Sequence, residues 1–224
     1  LNLPLSSKKV LITAGPTQEK IDNVRYISNY SSGKMGIALS KVAAELGANV
    51  KLILGPTNHS IIHSNIEIVN VLSADHMYDR VLANFSSTDI IICAAAVSDF
   101  KPKNPVKNKI KKQTGFDKIE LVPNKDILLE ISKKKSTSQI LIGFALESDN
   151  EINNAISKLK NKNLDFVVLN STNDKAAGFS VDTNKITIID SDSNIEEFKV
   201  KSKYNVSKDI FNKILKIKKW NYFK

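Results

Sequence analysis

Cysteine, arginine and long apolar runs are scarce in this chain of 224 residues. Its single cysteine, Cys93, excludes an internal disulfide and fits a reducing compartment, so we expect a cytoplasmic location. No apolar run approaches the roughly 20 residues that a transmembrane helix needs, and the N-terminus lacks a signal-peptide pattern. We therefore expect no membrane partner. Residues 1–7, which begin with leucine, are interpreted as the remnant of a linker in a longer protein.

The formal net charge of +10 comes almost entirely from lysine, because Arg25 and Arg80 are the only arginines. A basic surface can attract nucleic acid, a membrane or an anionic substrate. Lysine is abundant together with asparagine and isoleucine, which is typical of compositional drift and favours a solvated lysine-rich surface. No stripe of aromatic residues is interleaved with the lysines. A nucleic-acid-binding protein therefore remains only an alternative, and we expect no nucleic-acid partner.

Predicted strands and helices alternate along most of the chain. Apolar β-branched runs and helical periodicity predict strands at 9–14, 50–54, 66–71, 89–96, 140–145 and 166–169, and helices at 34–46, 74–85, 126–134, 151–161 and 207–220. This alternation indicates a parallel sheet with helices on both faces. Runs at 185–189 and 196–200 flank a polar turn and predict an antiparallel hairpin. The predicted fold class is α/β: a Rossmann-like, three-layer, mostly parallel sheet with a C-terminal antiparallel hairpin.

Two glycine-containing segments follow the first predicted strand. Residues 13–17 (TAGPT) lie at a strand end, where open parallel sheets bind ligands, although a plain turn is the simpler explanation. Residues 31–36 (SSGKMG) open a helix, whose free N–H groups and dipole favour phosphate; a serine cap is the alternative. This segment is not a Walker A loop, because methionine follows Lys34, and it lacks the first glycine of a dinucleotide fingerprint.

The long connection before that helix carries Arg25 and Asn29. Connections of this length in compact domains are usually functional. Arginine suits bidentate binding of a phosphate or carboxylate, and Asn29 can donate to a carbonyl oxygen that gains charge during acyl transfer. A network that braces the loop explains both residues about equally well.

Small residues and a basic loop follow the predicted strand 89–96. The alanines at 94–96 leave space for a ligand beside the backbone, and Asp99 follows them. Residues 98–114 lose the apolar pattern and contain many lysines, so we predict a mobile flap over an anion, with a solvated loop as the alternative. Lys158 and Lys162 are four residues apart on one helix face. They could reach one triphosphate together or simply face solvent.

Taken together and in their order along the chain, these motifs resemble those of phosphopantothenate–cysteine ligase of the bacterial CTP-using type. This family is also called phosphopantothenoylcysteine synthetase. The resemblance covers nearly the whole chain and is carried by residues 13–17, 22–36 (DNVRYISNYSSGKMG), 94–100 (AAAVSDF), 109–112 (KIKK), 143–145 (GFA), 170–171 and 178–179, and by the strand from Asn184. Gln18, Asn23 and Lys125 depart from the family pattern, which often has a basic residue at the first position and proline at the other two. The departure at Lys125 affects a predicted nucleotide contact.

The resemblance implies a ligase of coenzyme A biosynthesis that joins L-cysteine to (R)-4′-phosphopantothenate. CTP would activate the carboxylate as an acyl-cytidylate with the help of Mg²⁺, and CMP and pyrophosphate would be released. Asn29 and Lys109 would be catalytic, the latter acting from the flap, and Arg25 and Ala96 would contact the acyl substrate. The implied nucleotide contacts are Gly15, Ser32, Gly33, Ala94, Ala95, Asp99, Lys109, Lys125, Asp126, Ile127, Leu128, Phe144, Lys158 and Lys162.

The resemblance also implies a ligase domain over residues 8–224 and a homodimer formed through a hairpin region at about 170–204. Related bacterial proteins are often fused to a flavin-dependent decarboxylase, and the full-length protein could carry or associate with one. No segment here resembles that domain, so we expect neither flavin nor decarboxylation from this chain. The metal ligands are not identified by spacing. An NAD(P)-dependent short-chain-type reductase, suggested by Tyr30 and Lys34, is the alternative enzyme.

Overall fold

Six parallel strands and two antiparallel strands at one edge form an eight-stranded sheet in the computed structural model, which describes residues 3–111, 117–173 and 181–217. The strands of this sheet are β1 (Lys9–Ala14), β4 (Asn49–Leu54), β5 (Ile66–Asn70), β6 (Ile90–Cys93), β9 (Ile140–Glu147), β10 (Phe166–Ser171), β12 (Thr187–Asp190) and β13 (Ile195–Glu197). From one edge to the other, they run β5-β4-β1-β6-β9-β10-β12-β13, and the last two are antiparallel to their neighbours.

Three small strand pairs and five α-helices complete the described fold. The pairs are β2 (Gln18–Lys20) with β3 (Tyr26–Ser28), β7 (Phe100–Pro102) with β8 (Leu121–Pro123), and β11 (Thr183–Asn184) with β14 (Lys201–Ser202). The helices are α1 (Lys34–Glu45), α2 (Ala74–Asn84), α3 (Ile127–Lys134), α4 (Glu151–Asn161) and α5 (Lys203–Lys216), and a 3₁₀ turn, Phe85–Ser87, follows α2. None of these helices combines the length and the apolarity that a bilayer crossing requires.

The helices cover both faces of the sheet because side chains alternate along each strand. Val10 and Ile12 of β1 pack into a core with α1 and α5, whereas Leu11 packs into a second core with α2, α3 and α4. β12 and β13 form the expected hairpin, with Ile188 opposite Glu196. The predicted three-layer α/β class with its antiparallel hairpin is confirmed.

The strand order reverses next to β1. Numbered 1 to 6 in chain order, the six parallel strands are β1, β4, β5, β6, β9 and β10. Across the sheet they lie in the order 3-2-1-4-5-6, and the chain leaves β1 and β6 toward opposite faces of the sheet. A crevice forms outside the carboxyl ends of strands at such a point. Sheet topology therefore predicts a crevice beyond Ala14 and Cys93.

Several predicted boundaries were wrong, among them the hairpin arms, which start at Thr187 instead of residue 185 and end at Glu197 instead of residue 200. The strand that was predicted to reach Ala96 ends at Cys93, because its pairing with β9 stops there. Beyond Cys93 the backbone stays next to the end of β1, where Ala96 makes an isolated bridge to Pro16. The last helix begins at Lys203 instead of residue 207, because the Ser202 hydroxyl accepts the Asn205 N–H and starts it earlier. Residues 218–220 of that predicted helix lie outside the described residues.

Two segments predicted to be loose are folded in part. Leu5 is buried in the core and its N–H donates to the Leu46 carbonyl, so the folded unit includes residues predicted to be a linker remnant. Within the predicted flap, Phe100–Pro102 pairs with Leu121–Pro123, and Ser98 is buried. Residues 103–109 are exposed, residues 112–114 lie outside the described residues, and the flap motion stays a prediction.

Candidate active site

A cleft of about 820 Å³ opens at the carboxyl ends of β1, β6 and β9. This volume lies in the usual range for small-molecule sites. All predicted site residues except Gly15, Arg25 and Lys109 line it, namely Asn29, Ser32, Gly33, Ala94, Ala95, Ala96, Asp99, Lys125, Asp126, Ile127, Leu128, Phe144, Lys158 and Lys162. The structure therefore brings together residues that are up to 133 positions apart, as the difference between 162 and 29 shows.

The alanines after β6 are held by the end of β1. The Ala94 and Ala96 N–H groups donate to the carbonyl oxygens of Thr13 and Gly15, over 3.2 and 2.9 Å. The Asn29 side-chain amide donates to the Ala96 and Val97 carbonyl oxygens, over 3.1 and 3.2 Å. Asn29 thus joins the long connection before α1 to the β6 end. To donate to a ligand, it must exchange one of these carbonyl acceptors.

Helix α4 supplies two ammonium groups to the cleft. The Lys158 Nζ donates to the Phe144 carbonyl oxygen over 2.7 Å, and the Lys162 Nζ lies 2.7 Å from the Asp126 Oδ2. Burial, and then the charge of Lys162, hold the pKa of Lys158 below its usual value. Burial acts to raise the pKa of Asp126, but hydrogen bonds from Lys162 and the Leu129 N–H outweigh it, so that this pKa is lowered. The alternative prediction, that Lys158 and Lys162 simply face solvent, is therefore wrong.

The start of α1 forms the opposite wall. Gly33, and not a serine, occupies the N-cap position of the helix, with φ at +77°, a left-handed conformation that glycine adopts without strain. The serine-cap alternative is therefore wrong. The Ser32 carbonyl accepts the Thr57 hydroxyl over 2.7 Å, which fixes the turn, and Lys34 pairs with Asp182 at 2.7 Å.

Three predicted contacts lie outside the cleft lining. Gly15 has φ at +79° and lies behind the cleft, where its carbonyl accepts the Ala96 N–H, so it shapes the turn. Arg25 donates to the Asp22 carboxylate and the Ile110 carbonyl, as the loop-bracing alternative predicted. Lys109 is exposed on the segment 103–111. For these three residues, direct ligand contact has no support in the geometry of the single chain.

Several lining residues were missed by the sequence analysis. Lys203, at the start of α5, is only 7% exposed and donates to the Val181 and Thr183 carbonyl oxygens. Asn170 and Asn184 also line the cleft. Asn170 follows a predicted strand, which was a usable signal, whereas nothing in the pattern around Lys203 indicated a buried cation.

Cys93 lines the cleft with a partly covered thiol. Burial raises its pKa to about 12, despite the opposing charges of Lys158 and Lys162. Because the thiolate is the reactive form, this raised pKa disfavours a role for Cys93 as a nucleophile.

The donor set of the cleft fits a magnesium ion carried by phosphates better than a protein-built metal cage. No group of three or more histidine, cysteine, aspartate or glutamate residues could hold a metal within ranges 3–111, 117–173 and 181–217. Asp99 and Asp126 are the carboxylates among the described residues of the cleft lining, and Asp126 already binds Lys162 and the Leu129 N–H. Magnesium commonly uses one or two carboxylates together with substrate phosphates and water. Asp99 is suited to such a role.

Comparison with known proteins identifies relatives along almost the entire chain. Residues 5–217 match the model of the family described as DNA/pantothenate metabolism flavoprotein C-terminal domain. A protein named cysteine/cysteine sulfinic acid decarboxylase, from an unknown prokaryotic organism, is 51% identical over 95% of this chain and 59% of its own length. The coenzyme A biosynthesis bifunctional protein CoaBC of Bacillus subtilis (strain 168) is 44% identical over 96% of this chain and 53% of its own length. The chain thus spans about half the length of these curated relatives.

Two solved structures are also similar to this chain. The crystal structure of the C-terminal domain of a CoaBC protein is 37% identical, with a TM-score of 0.81, and the match covers 96% of this chain and 97% of that chain. A Cab2 mutant in complex with phosphopantothenate-cysteine has a TM-score of 0.73 at 17% identity, covering 92% of this chain and 86% of that chain; this likeness shows the fold alone. From the family match and these relatives, the chain belongs to the family of the DNA/pantothenate metabolism flavoprotein C-terminal domain.

Proposed function

We propose that this chain is a phosphopantothenate–cysteine ligase that activates (R)-4′-phosphopantothenate with CTP and couples it to L-cysteine in coenzyme A biosynthesis. The observation that carries the proposal is one cleft with basic groups from both faces of the sheet. Lys158 and Lys162 enter from α4, whereas Lys34 and Lys203 enter from α1 and α5. Such a cleft suits two polyanionic substrates, because the lysines lower the electrostatic cost of bringing them together. The CoaBC relatives support the same assignment.

The α4 side is proposed to bind the triphosphate. Lys158 and Lys162 would neutralise phosphate oxygens, and Asp99 would hold the magnesium ion that travels with the nucleotide. That ion would supply charge neutralisation at the phosphates. The backbone of 125–128 and the Phe144 ring would border the base and ribose. CTP is proposed from the family resemblance, since the contacts of the described residues do not distinguish among bases.

Activation requires the substrate carboxylate to approach the α-phosphorus in line with departing pyrophosphate. The carboxylate oxygen forms the new P–O bond as the bond to pyrophosphate breaks, which gives an acyl-cytidylate. The chain's contribution is positioning and charge neutralisation, the main requirements of such transfers. Ala96 leaves room for the acyl chain beside the backbone, and the lysines bear the negative charge that develops.

Amide formation is proposed to follow in the same cleft. The cysteine amine attacks the acyl carbonyl to form the C–N bond, and the carbonyl oxygen becomes negatively charged. The acyl C–O bond to the phosphate then breaks, CMP departs with that oxygen, and the amine proton is released to water. The Asn29 amide would turn from the Val97 carbonyl to donate to that oxygen, while its bond to Ala96 keeps the side chain in place. Lys109 would approach from the segment 103–111 and stabilise the leaving phosphate.

We further propose a homodimer that uses the region 170–204. Among the described residues of this region, three large apolar side chains are exposed in the single chain, namely Val181, Ile195 and Val200. Light scattering should give twice the chain mass, and Ile195→Lys should shift the population toward monomer. A wild-type chain that stays monomeric at assay concentration would refute this part of the proposal.

One assay tests the main proposal. The purified chain is incubated with phosphopantothenate, cysteine and each of CTP, ATP, GTP or UTP, while pyrophosphate and the mass of the amide product are followed. Pyrophosphate should appear with CTP and only when phosphopantothenate is present, and pantothenate without its phosphate should react much more slowly. Absence of pyrophosphate with all four nucleotides would reject the function.

The relative named cysteine/cysteine sulfinic acid decarboxylase supports a second candidate. A decarboxylase would release carbon dioxide from cysteine without any nucleotide. It would also show the visible absorbance of a flavin if it worked as the bacterial fusion partners do. Measuring carbon dioxide and the absorption spectrum of the same preparation therefore separates the two candidates.

A further inference from the structure

Asp22 is a buried carboxylate at the centre of a hydrogen-bond network outside the cleft. Its side chain is 0% exposed. The Oδ1 accepts the Val24 and Arg25 N–H groups, both over 2.8 Å. The Oδ2 accepts the Arg25 Nε–H over 3.0 Å, the Arg25 Nη2–H over 2.5 Å and the Ile110 N–H over 3.1 Å. Burial acts to raise the pKa of Asp22, but these donors outweigh it and hold the pKa far below its usual range.

The same network fixes the segment that carries Lys109. The Arg25 Nη2 also donates to the Ile110 carbonyl oxygen over 2.8 Å. Both backbone polar groups of Ile110 are therefore bound by the Asp22–Arg25 pair. A second attachment lies four residues earlier, where the Val106 N–H donates to the Ile21 carbonyl over 3.0 Å. The segment is thus tied to the β2–β3 hairpin at two points.

We propose that Asp22 is a positioning residue for Lys109, acting through Arg25 and the Ile110 peptide. The inference rests on the proposed function for the role of Lys109, while the attachment itself rests on the bonds just described. Consecutive Cα atoms are about 3.8 Å apart, so a fixed Ile110 peptide limits where the Lys109 backbone can lie. When the backbone of Lys109 is held in place, its side-chain ammonium samples fewer positions and lies more often near the leaving phosphate.

The variant Asp22→Asn distinguishes a role in holding the Ile110 peptide from a role in stabilising the β2–β3 hairpin. In Asp22→Asn, the remaining side-chain oxygen can still accept the Val24 and Arg25 N–H groups that shape the turn. The new NH₂ group cannot accept from the Ile110 N–H or the guanidinium. Arg25→Lys is the second variant, because it keeps the charge on Asp22 but lacks the planar fork that reaches both Asp22 and Ile110.

Hydrogen exchange of the full chain tests the attachment without any substrate. The Ile110 N–H should exchange about tenfold faster in both variants than in the wild type, while amides of the β2–β3 ladder, such as that of Ile27, stay within about twofold. Unchanged exchange at Ile110 in both variants would overturn the proposal. So would equal acceleration throughout the hairpin, which would mean that Asp22 only stabilises the turn.

Kinetics then test the link to Lys109. The kcat for ligation should fall about tenfold in Asp22→Asn with little change in the KM for CTP, and adding Lys109→Gln to that variant should cause little further loss. If instead the two substitutions reduce kcat independently, so that their effects multiply in the double variant, Asp22 does not act through Lys109 and the proposal is overturned. If the wild type shows no ligation at all, the proposed function fails, yet the exchange result still decides whether Asp22 holds the segment.

Discussion

The Asp126 carboxylate on one wall of the cleft and the Lys162 ammonium on another are 2.7 Å apart. The second oxygen of the same carboxylate accepts the Leu129 N–H over 2.9 Å and thereby caps α3. One side chain therefore stabilises a helix start and also holds a cation that is proposed to bind phosphate. A nucleotide that uses Lys162 must compete with Asp126 for it.

Replacing Asp126 should separate these two effects. In Asp126→Asn, the cap persists because asparagine is as good an N-cap as aspartate, while the pair with Lys162 is weakened, so the affinity for CTP should rise about threefold. In Asp126→Ala, the cap is lost and the free energy of unfolding should fall by about 1 kcal/mol. Calorimetry and urea unfolding measure the two quantities. Weaker CTP binding by Asp126→Asn would instead mean that the carboxylate itself contacts the nucleotide.

Asn29→Asp should slow ligation while leaving the fold intact. A carboxylate cannot donate to the Ala96 and Val97 carbonyls or to a developing oxyanion, and the loss of one such donor typically reduces kcat about 100- to 1,000-fold. Stopped-flow or product assays give kcat, and circular dichroism checks the fold. Asn212→Asp, at an exposed position on α5, is the charge-matched control and should keep normal turnover. Normal turnover in the Asn29 variant would remove Asn29 from the catalytic residues.

The lowered pKa of Lys158 predicts a pH dependence of CTP binding. Its ammonium form, which favours a polyanion, is lost at a lower pH than that of an exposed lysine. CTP affinity should therefore weaken as pH rises through this lowered pKa toward the usual lysine value, and binding in that window should take up a proton. In the same pH window, the contribution of Lys158 to the free energy of unfolding rises with pH, because the unfolded chain binds more protons than the folded chain.

Titration calorimetry in buffers of different ionisation enthalpy measures the proton uptake. Lys158→Arg should abolish it, because arginine stays charged throughout. Lys160→Arg, on the exposed face of the same helix, should leave it unchanged. Equal proton uptake in the wild type and the Lys158 variant would show that another group is responsible.

Lys213 should contribute to the attachment of α5 to the C-terminal hairpin. Its ammonium lies 2.9 Å from Asp190 and 2.6 Å from Glu196, and its side chain is only 14% exposed. Lys213→Met leaves two partly covered carboxylates without this donor, so the free energy of unfolding should fall by about 1 to 2 kcal/mol. Lys216→Met, on the exposed side of α5, is the control. Equal urea midpoints for both variants would contradict the prediction.

The same ion pair predicts an acid limb of stability. Burial acts to raise the pKa of Asp190, but hydrogen bonds from Lys213 and Asn194 lower it overall. The resulting stabilisation is present above the unfolded pKa of about 3.9 and is lost as the pH falls through the lowered folded value. Lys213→Met should therefore lose less stability on acidification than the wild type does.

Most of the sheet could be predicted from sequence because its central strands are apolar on both faces. The run at Lys9–Ala14 was placed correctly, since buried parallel strands read as continuous β-branched segments. The short pairs were not predicted. Gln18–Lys20 and Phe100–Pro102 have only three residues each and mixed polarity, so their pairing depends on neighbours that are distant in sequence.

The cleft residues were predicted well where a strand end or helix start brings them together. Ala95 and Gly33 follow this rule, because topology alone places carboxyl ends of parallel strands at one edge. Lys203 could not be found in this way. Its side chain enters the cleft from α5 and donates to the Val181 and Thr183 carbonyl oxygens, about 20 positions earlier in the chain, which no local pattern indicates.

The raised pKa of Cys93 predicts slow reaction of its thiol with labelling reagents. Cys93 is the only cysteine, and only a thiolate reacts readily with maleimides or disulfides. A thiol introduced on the exposed segment 103–111 would therefore take a fluorophore or spin label selectively, without first removing the native residue. The native thiol should also resist mixed-disulfide formation with oxidised cysteine during assays.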